Sequence, residues 1–290
     1  MEDRALMRIG IAGCGLAGTK RALALDRGRV AVVGDPVKSR AAAVAKLTGA
    51  RAVGGWEEVV ASPEVDCVIA ALTPDLQPAV ARAALEAGKP VFLEKPGARR
   101  AKDLEALLPL CRRKGIPVGV GYNHRWHPSL RKAHALVEKG ALGRLLHVRG
   151  RYGHGGRAGY ETEWRARPRI SGGGELLDQG SHLIDLARWF LGEFREVRGW
   201  TPTLHWKMPV EDNAFVYLRA GSGAVAWLHA GWTEWKNIFS FEIAGERGKL
   251  HAEGLGGSYG EERLTFYKMS PRLGRPKEFR WSFRGPDRSW

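Results

Sequence analysis

The sequence predicts an α/β fold in two parts, a doubly wound parallel sheet followed by an α+β domain whose large, open sheet is mostly antiparallel. Short apolar runs alternate with helical stretches from Met7 to about Gly121, the pattern of repeated strand-helix units. Beyond that point, alternating aromatic and β-branched segments become frequent. A chain of 290 residues is long enough for two domains with separate cores, which we expect at residues 1–121 and 122–290.

The N-terminal domain is predicted to contain five strands and four helices. The strands are expected at Met7–Ala12, Arg29–Gly34, Asp66–Leu72, Pro90–Leu93 and Ile116–Gly121. The helices, most of them rich in Ala and Leu, are expected at Leu16–Arg27, Lys38–Leu47, Gln77–Ala87 and Ala101–Lys114. This alternation indicates a parallel sheet, because parallel strands need a crossover connection between them.

The C-terminal domain is predicted to place helices on one face of its sheet. Helices are expected at Pro128–Lys139 and Gly174–Leu191, with a glycine-rich loop at Gly150–Tyr160. Strands are expected at Asn213–Ala220 and Ala224–Ala230, which form a hairpin, and at Phe239–Ala244, Lys249–Ala252 and Leu264–Met269. We expect core positions for most tryptophans of this half, including Trp206, Trp227, Trp232 and Trp235. An exposed aromatic sheet face would instead suit a homo-oligomer interface.

Composition narrows the class of protein. The net charge of +15 comes from Lys and Arg residues spread along the chain and mixed with Glu and Asp, which predicts an arginine-rich surface and no nucleic-acid groove. Cys14, Cys67 and Cys111 are too far apart for a disulfide framework or a paired metal motif. No apolar run approaches the roughly 18 residues of a membrane span, and the first residues lack the order of a signal peptide. We therefore expect a cytoplasmic protein without a membrane partner.

A glycine motif lies between the first predicted strand and the first predicted helix. Gly13, Gly15 and Gly18 form G-x-G-x-x-G, in which the first glycine allows a tight turn and the second admits the backbone close to a diphosphate. The third lets the helix pack close to the strand. The diphosphate would lie on the helix N-terminus, at Leu16 and Ala17, where backbone N–H groups favour an anion. The motif in this context predicts a dinucleotide-binding Rossmann domain.

The second strand ends in a carboxylate that favours one dinucleotide. Asp35 follows the motif by about 20 residues, the position from which a carboxylate accepts hydrogen bonds from the adenosine ribose hydroxyls. NAD is therefore the expected cofactor. Lys38 and Arg40 are close enough to compensate a 2′-phosphate, which keeps NADP as the alternative.

Two further segments carry chemistry. Glu94-Lys95-Pro96 ends a predicted strand at the carboxyl edge of the parallel sheet, where open α/β folds place ligands. Asp178 and His182 are four residues apart on a predicted helix and so share one face. Glu175 and Asp185 recur at similar spacing, but the lack of a second His or Cys cluster argues against a metal site, and Asp185 is expected to cap or pair locally.

In this order after the glycine motif, these segments resemble the glucose-fructose oxidoreductase/inositol dehydrogenase/MocA family over nearly the whole chain. The resemblance implies a Rossmann domain followed by an open-sheet domain, and hydride transfer between a nicotinamide cofactor and a sugar, inositol or related polyol. It implies that Lys95 contacts substrate and nicotinamide, and that Asp178 and His182 are the catalytic pair. It also implies substrate contacts from Asn123 and Arg125, and cofactor contacts from Leu72, Thr73, Pro74, Gln77, Glu94 and Lys95. Gln77 stands where the family often has histidine.

The chemistry of these residue types agrees with those roles. Oxidation of a secondary alcohol requires a base for the hydroxyl proton; imidazole ordinarily has a pKa near neutral pH, so His182 is the expected base. Asp178 either orients that ring or binds a second substrate hydroxyl, and the Lys95 ammonium stabilises developing alkoxide charge.

A glycine-rich loop supplies the remaining substrate-binding candidates. It combines flexible backbone with aromatic and cationic side chains, and either closes over a sugar or is a surface excursion. The candidates are His154, Tyr160, Trp164 and Arg165. Arg157 and Arg165 would suit a carboxylated, phosphorylated or nucleotide-linked sugar.

Two other functions use the same fold, an NAD-using glycosidase without net redox and a non-enzymatic regulator that senses nucleotide. Lys95, Asp178 and His182 argue against a regulator. The chain stops at Trp290, before the further helices that the resemblance leads us to expect, so truncation is one explanation for its length.

The cofactor preference is testable by titration. Because Asp35 accepts from ribose hydroxyls and repels a 2′-phosphate, NAD should bind more tightly than NADP. Dissociation constants of both dinucleotides, measured on the same protein preparation, check this expectation. Tighter binding of NADP would contradict it.

Overall fold

The computed structural model describes residues 7–25 and 29–284. These residues form two compact units. The N-terminal unit contains residues up to 121 together with 169–172, and the C-terminal unit contains residues 122–168 and those from 173 onward. No helix among the described residues is long and apolar enough to span a membrane.

The N-terminal unit contains a six-stranded parallel sheet in the order β3-β2-β1-β4-β5-β6. Its strands are β1 Arg8–Ala12, β2 Arg29–Gly34, β3 Arg51–Val53, β4 Cys67–Ala70, β5 Val91–Leu93 and β6 Val118–Val120. Its helices are α1 Leu16–Leu23, α2 Lys38–Thr48, α3 Trp56–Ala61, α4 Gln77–Glu86, α5 Ala101–Glu105 and α6 Leu108–Lys114. The strand order reverses between β1 and β4, as in doubly wound dinucleotide-binding folds, so the carboxyl ends of these strands form a ligand-binding edge.

Three details of this unit differ from the sequence prediction. The predicted helix Ala101–Lys114 is two helices, because Pro109 lacks a backbone N–H and lies in the first turn of α6. Strand β3 and helix α3 were not predicted. Strand β3 has only three residues at the sheet edge, too few for a period to show. Helix α1 ends at Leu23, and residues 26–27 of its predicted span lie outside the described residues.

The C-terminal unit contains an eight-stranded sheet in the order β14-β13-β12-β11-β7-β10-β9-β8. All neighbouring pairs are antiparallel except β7 with β10. The strands are β7 Leu145–Gly153, β8 Phe194–Trp200, β9 Asn213–Ala220, β10 Val225–Gly231, β11 Ile238–Gly245, β12 Gly248–Glu253, β13 Glu262–Lys268 and β14 Lys277–Phe283. Its helices are α7 Pro128–Glu138 and α9 Ser181–Leu191, and three of the four residues of the short helix α8 Pro168–Ser171 group with the N-terminal unit. The predicted fold class is confirmed.

Helices α7 and α9 pack on one side of this sheet over its largest apolar core. Helix α9 approaches β7 and β10 closely at Gly150, where a Cβ would lie 3.1 Å from a methyl of Leu183 and 3.0 Å from one of Leu228. The predicted loop Gly150–Tyr160 was therefore wrong at its start, because Gly150 is a packing glycine inside a central strand and the loop begins at His154.

The strands β8 and β14, which were not predicted, are the two edges of the sheet. Both carry mostly exposed residues, because an edge strand needs no apolar face on its outer positions. The prediction of core positions for most tryptophans was wrong for Trp227 and Trp235, which are 58% and 66% exposed. Trp232 is fully buried. Trp206 is partly buried and packs against the small hydrophobic cluster that contains Trp232.

Candidate active site

The glycine motif forms a tight turn from β1 into α1. Gly13 has φ = +96°, which favours glycine, and a Cβ there would lie 2.3 Å from the carbonyl oxygen of Ala71. A Cβ at Gly18 would lie 1.9 Å from the carbonyl oxygen of Gly13, so only glycine allows the helix this close to the turn. At Gly15, in contrast, a Cβ would meet no atom within 4 Å. The turn therefore leaves open space at its middle glycine alone.

The open space lies at the N-terminus of α1. Gly15 is the N-cap residue, and no side chain of the described residues caps this helix end. Leu16 is exposed and Ala17 half-buried, so backbone N–H groups of the first turn are available to an anion. This cradle of backbone donors around a glycine fits the diphosphate of a dinucleotide.

Asp35 connects the end of β2 to the glycine turn. Its carboxylate is buried and accepts hydrogen bonds from the backbone N–H of Cys14 at 2.9 Å and of Val37 at 2.8 Å. Because each carboxylate oxygen has a second acceptor position, ribose hydroxyls can still bind. Lys38 and Arg40 are exposed in the first turn of α2. The preference for NAD at this position stays a prediction.

The turn around Lys95 is held by two buried polar side chains. Gln77 Nε2 donates to the carbonyl oxygens of Glu94 at 2.6 Å and Pro96 at 3.1 Å. The Glu94 carboxylate pairs with Arg21 of α1, whose guanidinium also lies over the ring of Phe92. These contacts place Gln77 and Glu94 as supports of the turn, and their contact with cofactor stays a prediction.

The positions of the remaining cofactor candidates follow from the sheet. Lys95 follows β5 at its carboxyl end and is half-buried. Leu72, Thr73 and Pro74 follow β4 at the same edge. Arg21 was not among the predicted site residues, because a lone arginine in a helix has no sequence pattern that indicates burial.

In the C-terminal unit, Asp178 and His182 lie on consecutive turns of different kinds. The predicted continuous helix Gly174–Leu191 is a π turn over Leu176–Gly180 followed by α9. Asp178 belongs to the π turn, and His182 lies in the first turn of α9 with 3% of its surface exposed. Inserted π turns often occur at functional sites, because they change the direction of side chains.

His182 is surrounded by aromatic rings. Its imidazole stacks on His124 with ring centroids 3.8 Å apart and an interplanar angle of 25°. Tyr122 and Tyr152 approach edge-on at 5.8 and 6.1 Å. The sequence had singled out Asn123 and Arg125 but not His124 between them. The only signal for His124 was its place in that segment.

Asp178 is paired with the loop that follows β7. Its Oδ2 accepts a hydrogen bond from Arg165 Nε at 3.0 Å, and Arg165 also lies 3.6 Å from Glu163. Arg157 pairs with Glu163 in turn, at 2.5 Å. Arg157 and Arg165 of this loop are thus each paired with a carboxylate.

The other substrate-binding candidates differ in exposure. Tyr160 is 2% exposed and packs its ring on Trp232, and its contact with substrate stays a prediction. Burial raises the pKa of the Tyr160 hydroxyl and lowers that of His154, so both are neutral at pH 7. His154 Nδ1 accepts a hydrogen bond from the backbone N–H of Gly156 at 2.9 Å. Trp164 is half-buried, with the guanidinium of Arg165 over its ring.

Asp185 pairs with Arg125, 60 residues earlier in the chain, so the expectation that it caps or pairs locally was wrong. Arg125 Nε donates to Asp185 Oδ2 at 2.8 Å, which joins the segment before α7 to the middle of α9. Asn123 is buried beside His124, with its Oδ1 3.3 Å from Nδ1 of that ring. Among the residues that the structure describes, no group of three or more His, Cys, Asp or Glu side chains is arranged to hold a metal ion.

Comparison with known proteins gives matches over both units. Residues 7–122 match the model of the GFO/IDH/MocA oxidoreductase family with its NAD-binding Rossmann fold, and residues 130–251 match the GFO/IDH/MocA C-terminal domain. The chain is 30% identical over 222 residues to levoglucosan dehydrogenase of Pseudarthrobacter phenanthrenivorans, covering 67% of this chain and 57% of that protein. The chain thus spans less than two thirds of that relative.

Two further matches cover a larger share of this chain and of the matched protein. The chain is 30% identical over 250 residues to dTDP-3,4-didehydro-2,6-dideoxy-alpha-D-glucose 3-reductase of Saccharopolyspora spinosa, covering 84% of this chain and 74% of the relative. Among solved structures, levoglucosan dehydrogenase in complex with NADH and levoglucosan superposes with a TM-score of 0.86 at 26% identity. That superposition covers 96% of this chain and 80% of the other.

The glycine geometry separates two neighbouring substitutions. Gly15→Ala should leave the free energy of unfolding within about 0.5 kcal/mol of the parent, because the new Cβ meets no protein atom. It should weaken NADH binding about tenfold or more, a loss of about 1.4 kcal/mol, by filling the approach to the diphosphate. Gly18→Ala should instead destabilise the fold by about 1–3 kcal/mol through overpacking. Urea unfolding and NADH fluorescence titration measure both; parental NADH affinity in Gly15→Ala would contradict the assignment.

Proposed function

The chain belongs to the GFO/IDH/MocA oxidoreductase family, and from that premise we propose that it transfers a hydride between NAD(P) and a secondary alcohol of a sugar, an inositol or a sugar derivative. The observation that carries the cofactor half of this proposal is the glycine turn, whose one open position lies at an uncapped helix N-terminus. The residues proposed to hold the dinucleotide are those of this turn together with Asp35 at the ribose.

The substrate half of the proposal depends on the buried imidazole of His182. A bound nicotinamide supplies the acceptor or donor of the hydride. His182 takes the proton of the reacting hydroxyl when the alcohol is oxidised and returns it when the carbonyl is reduced. Its ring is fixed between His124 and the edges of two tyrosines, which holds the proton-accepting nitrogen in one orientation.

Lys95 and Asp178 are assigned the two remaining roles. The Lys95 ammonium stabilises the negative charge that develops on the reacting oxygen. Asp178 binds a second hydroxyl or orients the base, and its hydrogen bond from Arg165 directs the carboxylate. Asn123, Arg125, His154, Tyr160, Trp164 and Arg165 remain the proposed substrate contacts.

Activity with a defined panel tests the proposal. Inositols, aldoses, uronates and nucleotide sugars, each with NAD and NADP, should include a substrate that changes the cofactor absorbance at about 340 nm. On that substrate, His182→Ala should lower kcat by about 10²–10⁴ and Lys95→Met by about 10²–10³. His134→Ala, whose ring stacks on Trp189, is the control and should retain activity. Glycoside cleavage with no change of cofactor redox state would refute hydride transfer.

For the C-terminal unit we propose a second role, association with another copy of the chain through the sheet face opposite α7 and α9. This face exposes an aromatic strip of Trp200, Phe215 and Trp227. Arg149 pairs with Glu242, and Arg219 with Glu196, on the same face. A face that presents both signs of charge around apolar rings is complementary to itself, which a two-fold interface requires.

The association proposal predicts the effect of one charge. Trp227→Glu should convert the assembly to monomers, because it places a carboxylate in the middle of the aromatic strip. Trp126→Glu, at a similarly exposed tryptophan outside this sheet, should leave the assembly unchanged. Sedimentation velocity measures both. A monomeric parent protein, or an unchanged sedimentation coefficient in Trp227→Glu, would contradict the proposal.

A further inference from the structure

A buried histidine–glutamate pair of the C-terminal unit lies outside the residues assigned so far. His127 Nδ1 is 3.2 Å from Glu262 Oε2, and both side chains are less than 10% exposed. His127 immediately precedes α7, and Glu262 is the first residue of β13. The other oxygen of Glu262 accepts a hydrogen bond from the backbone N–H of Ser129 at 2.7 Å, in the first turn of α7.

Glu262 is held in its ionised form. Burial alone would raise its pKa, but the hydrogen bonds from His127 and Ser129 outweigh burial, and the pKa lies below its usual value. The N-terminal end of α7 adds a favourable dipole. A negative charge is therefore buried beneath the helix at neutral pH.

A continuous row of imidazole rings leads from this carboxylate to His182. The ring of His127 meets that of His124 edge-on with centroids 5.5 Å apart, and His124 stacks on His182 at 3.8 Å. All three histidines are buried. His182 lies on α9, His124 in the short helical turn before α7, and His127 immediately before α7. Tyr152 and Phe239 close the sides of the row at 5.0 and 5.6 Å from His124.

The row has a direct consequence for a proton taken up by His182. A buried imidazolium is unfavourable unless a negative charge compensates it, and stacked rings this close cannot both be cations without strong repulsion. In the proposed oxidation, the substrate O–H bond breaks, an N–H bond forms on His182, and the charge of the row rises by one. Glu262 is the carboxylate at the far end of the row that offsets this charge.

We propose that Glu262 is a positioning residue for the proposed reaction, acting through His127 and His124 to orient the His182 ring and to favour its uptake of a proton. The inference rests on the proposed function for the role of His182. The coupling between Glu262 and the ring is a property of the protein alone.

Other ionisable groups also face this region, and a substitution at Glu262 leaves them in place. Burial raises the pKa of Tyr122 and Tyr152, so both rings beside His182 stay neutral. Glu175 immediately precedes the π turn, Asp178 lies in that turn and pairs with Arg165, and Asp185 of α9 pairs with Arg125. A change in the titration midpoint of His182 when Glu262 is substituted therefore reflects coupling through the row of rings.

NMR titration of histidine-labelled protein, without cofactor or substrate, tests the coupling between Glu262 and His182. Glu262→Gln retains length and an oxygen that can accept from Ser129; it removes the charge and places an NH2 donor opposite His127 Nδ1. The titration midpoint of the His182 ring, assigned by comparison with His182→Ala, should fall by about 1 pH unit, the effect of a unit charge roughly 10 Å away at an effective dielectric near 20. Glu262→Asp retains the charge, so the His182 midpoint in this variant should stay close to that of the parent.

The matched control is Glu246→Gln, which removes a surface carboxylate paired with Arg144 in the same unit. It should move the midpoint by less than about 0.2 pH unit, because exposed charges are screened. On an identified substrate, the acid limb of the kcat/KM profile should move with the NMR midpoint in Glu262→Gln.

A folded Glu262→Gln protein whose His182 midpoint stays within about 0.2 pH unit of the parent overturns the proposal. If this variant does not fold, the Nδ1–H resonance of His127 in the parent decides instead. It should move in His182→Ala and not in His134→Ala, and an unchanged resonance in His182→Ala overturns the proposal. A midpoint shift without turnover of any substrate would refute the proposed reaction and leave the coupling established.

Discussion

Close approach of a helix to its sheet, permitted by a glycine, positions the candidate residues of each unit. In the N-terminal unit, Gly18 lets α1 begin against the turn at Gly13, and this places the helix N-terminus at the carboxyl edge of the sheet. In the C-terminal unit, Gly150 lets α9 lie on the central strands, which places His182 within the apolar core. A side chain at either glycine would move the helix and the functional groups it carries.

Burial next to the core makes neighbouring polar groups interdependent within each unit. The turn around Lys95 depends on Gln77 and on the pairing of Glu94 with Arg21, and the imidazole of His182 depends on the rings stacked beside it. Polar groups in such surroundings are stable only when they are satisfied, so each one constrains the conformation of its neighbours. The same physics makes a distant carboxylate such as Glu262 relevant to a proton on His182.

The predictable parts of the structure were those with a local physical cause. The glycine motif, the parallel sheet of the N-terminal unit and the β9–β10 hairpin follow from turn geometry and short-range periodicity. The edge strands β8 and β14 escaped prediction because they bury little apolar surface. The end of strand β7, residues 150–153, was assigned to a loop because Gly150 resembles a turn residue, although the close approach of α9 is what requires that glycine.

The amino-acid sequence alone was enough for the fold class, the family and the segments around Gly13, Lys95 and His182, because their motifs depend on residues near one another in the chain. Tertiary structure decided which partners those residues have. Arg165 on Asp178, Gln77 beneath Lys95 and the row from His182 to Glu262 join residues from separate elements. Such contacts leave no period or spacing in the sequence, since they arise only when helices and strands pack and exclude water from the groups between them.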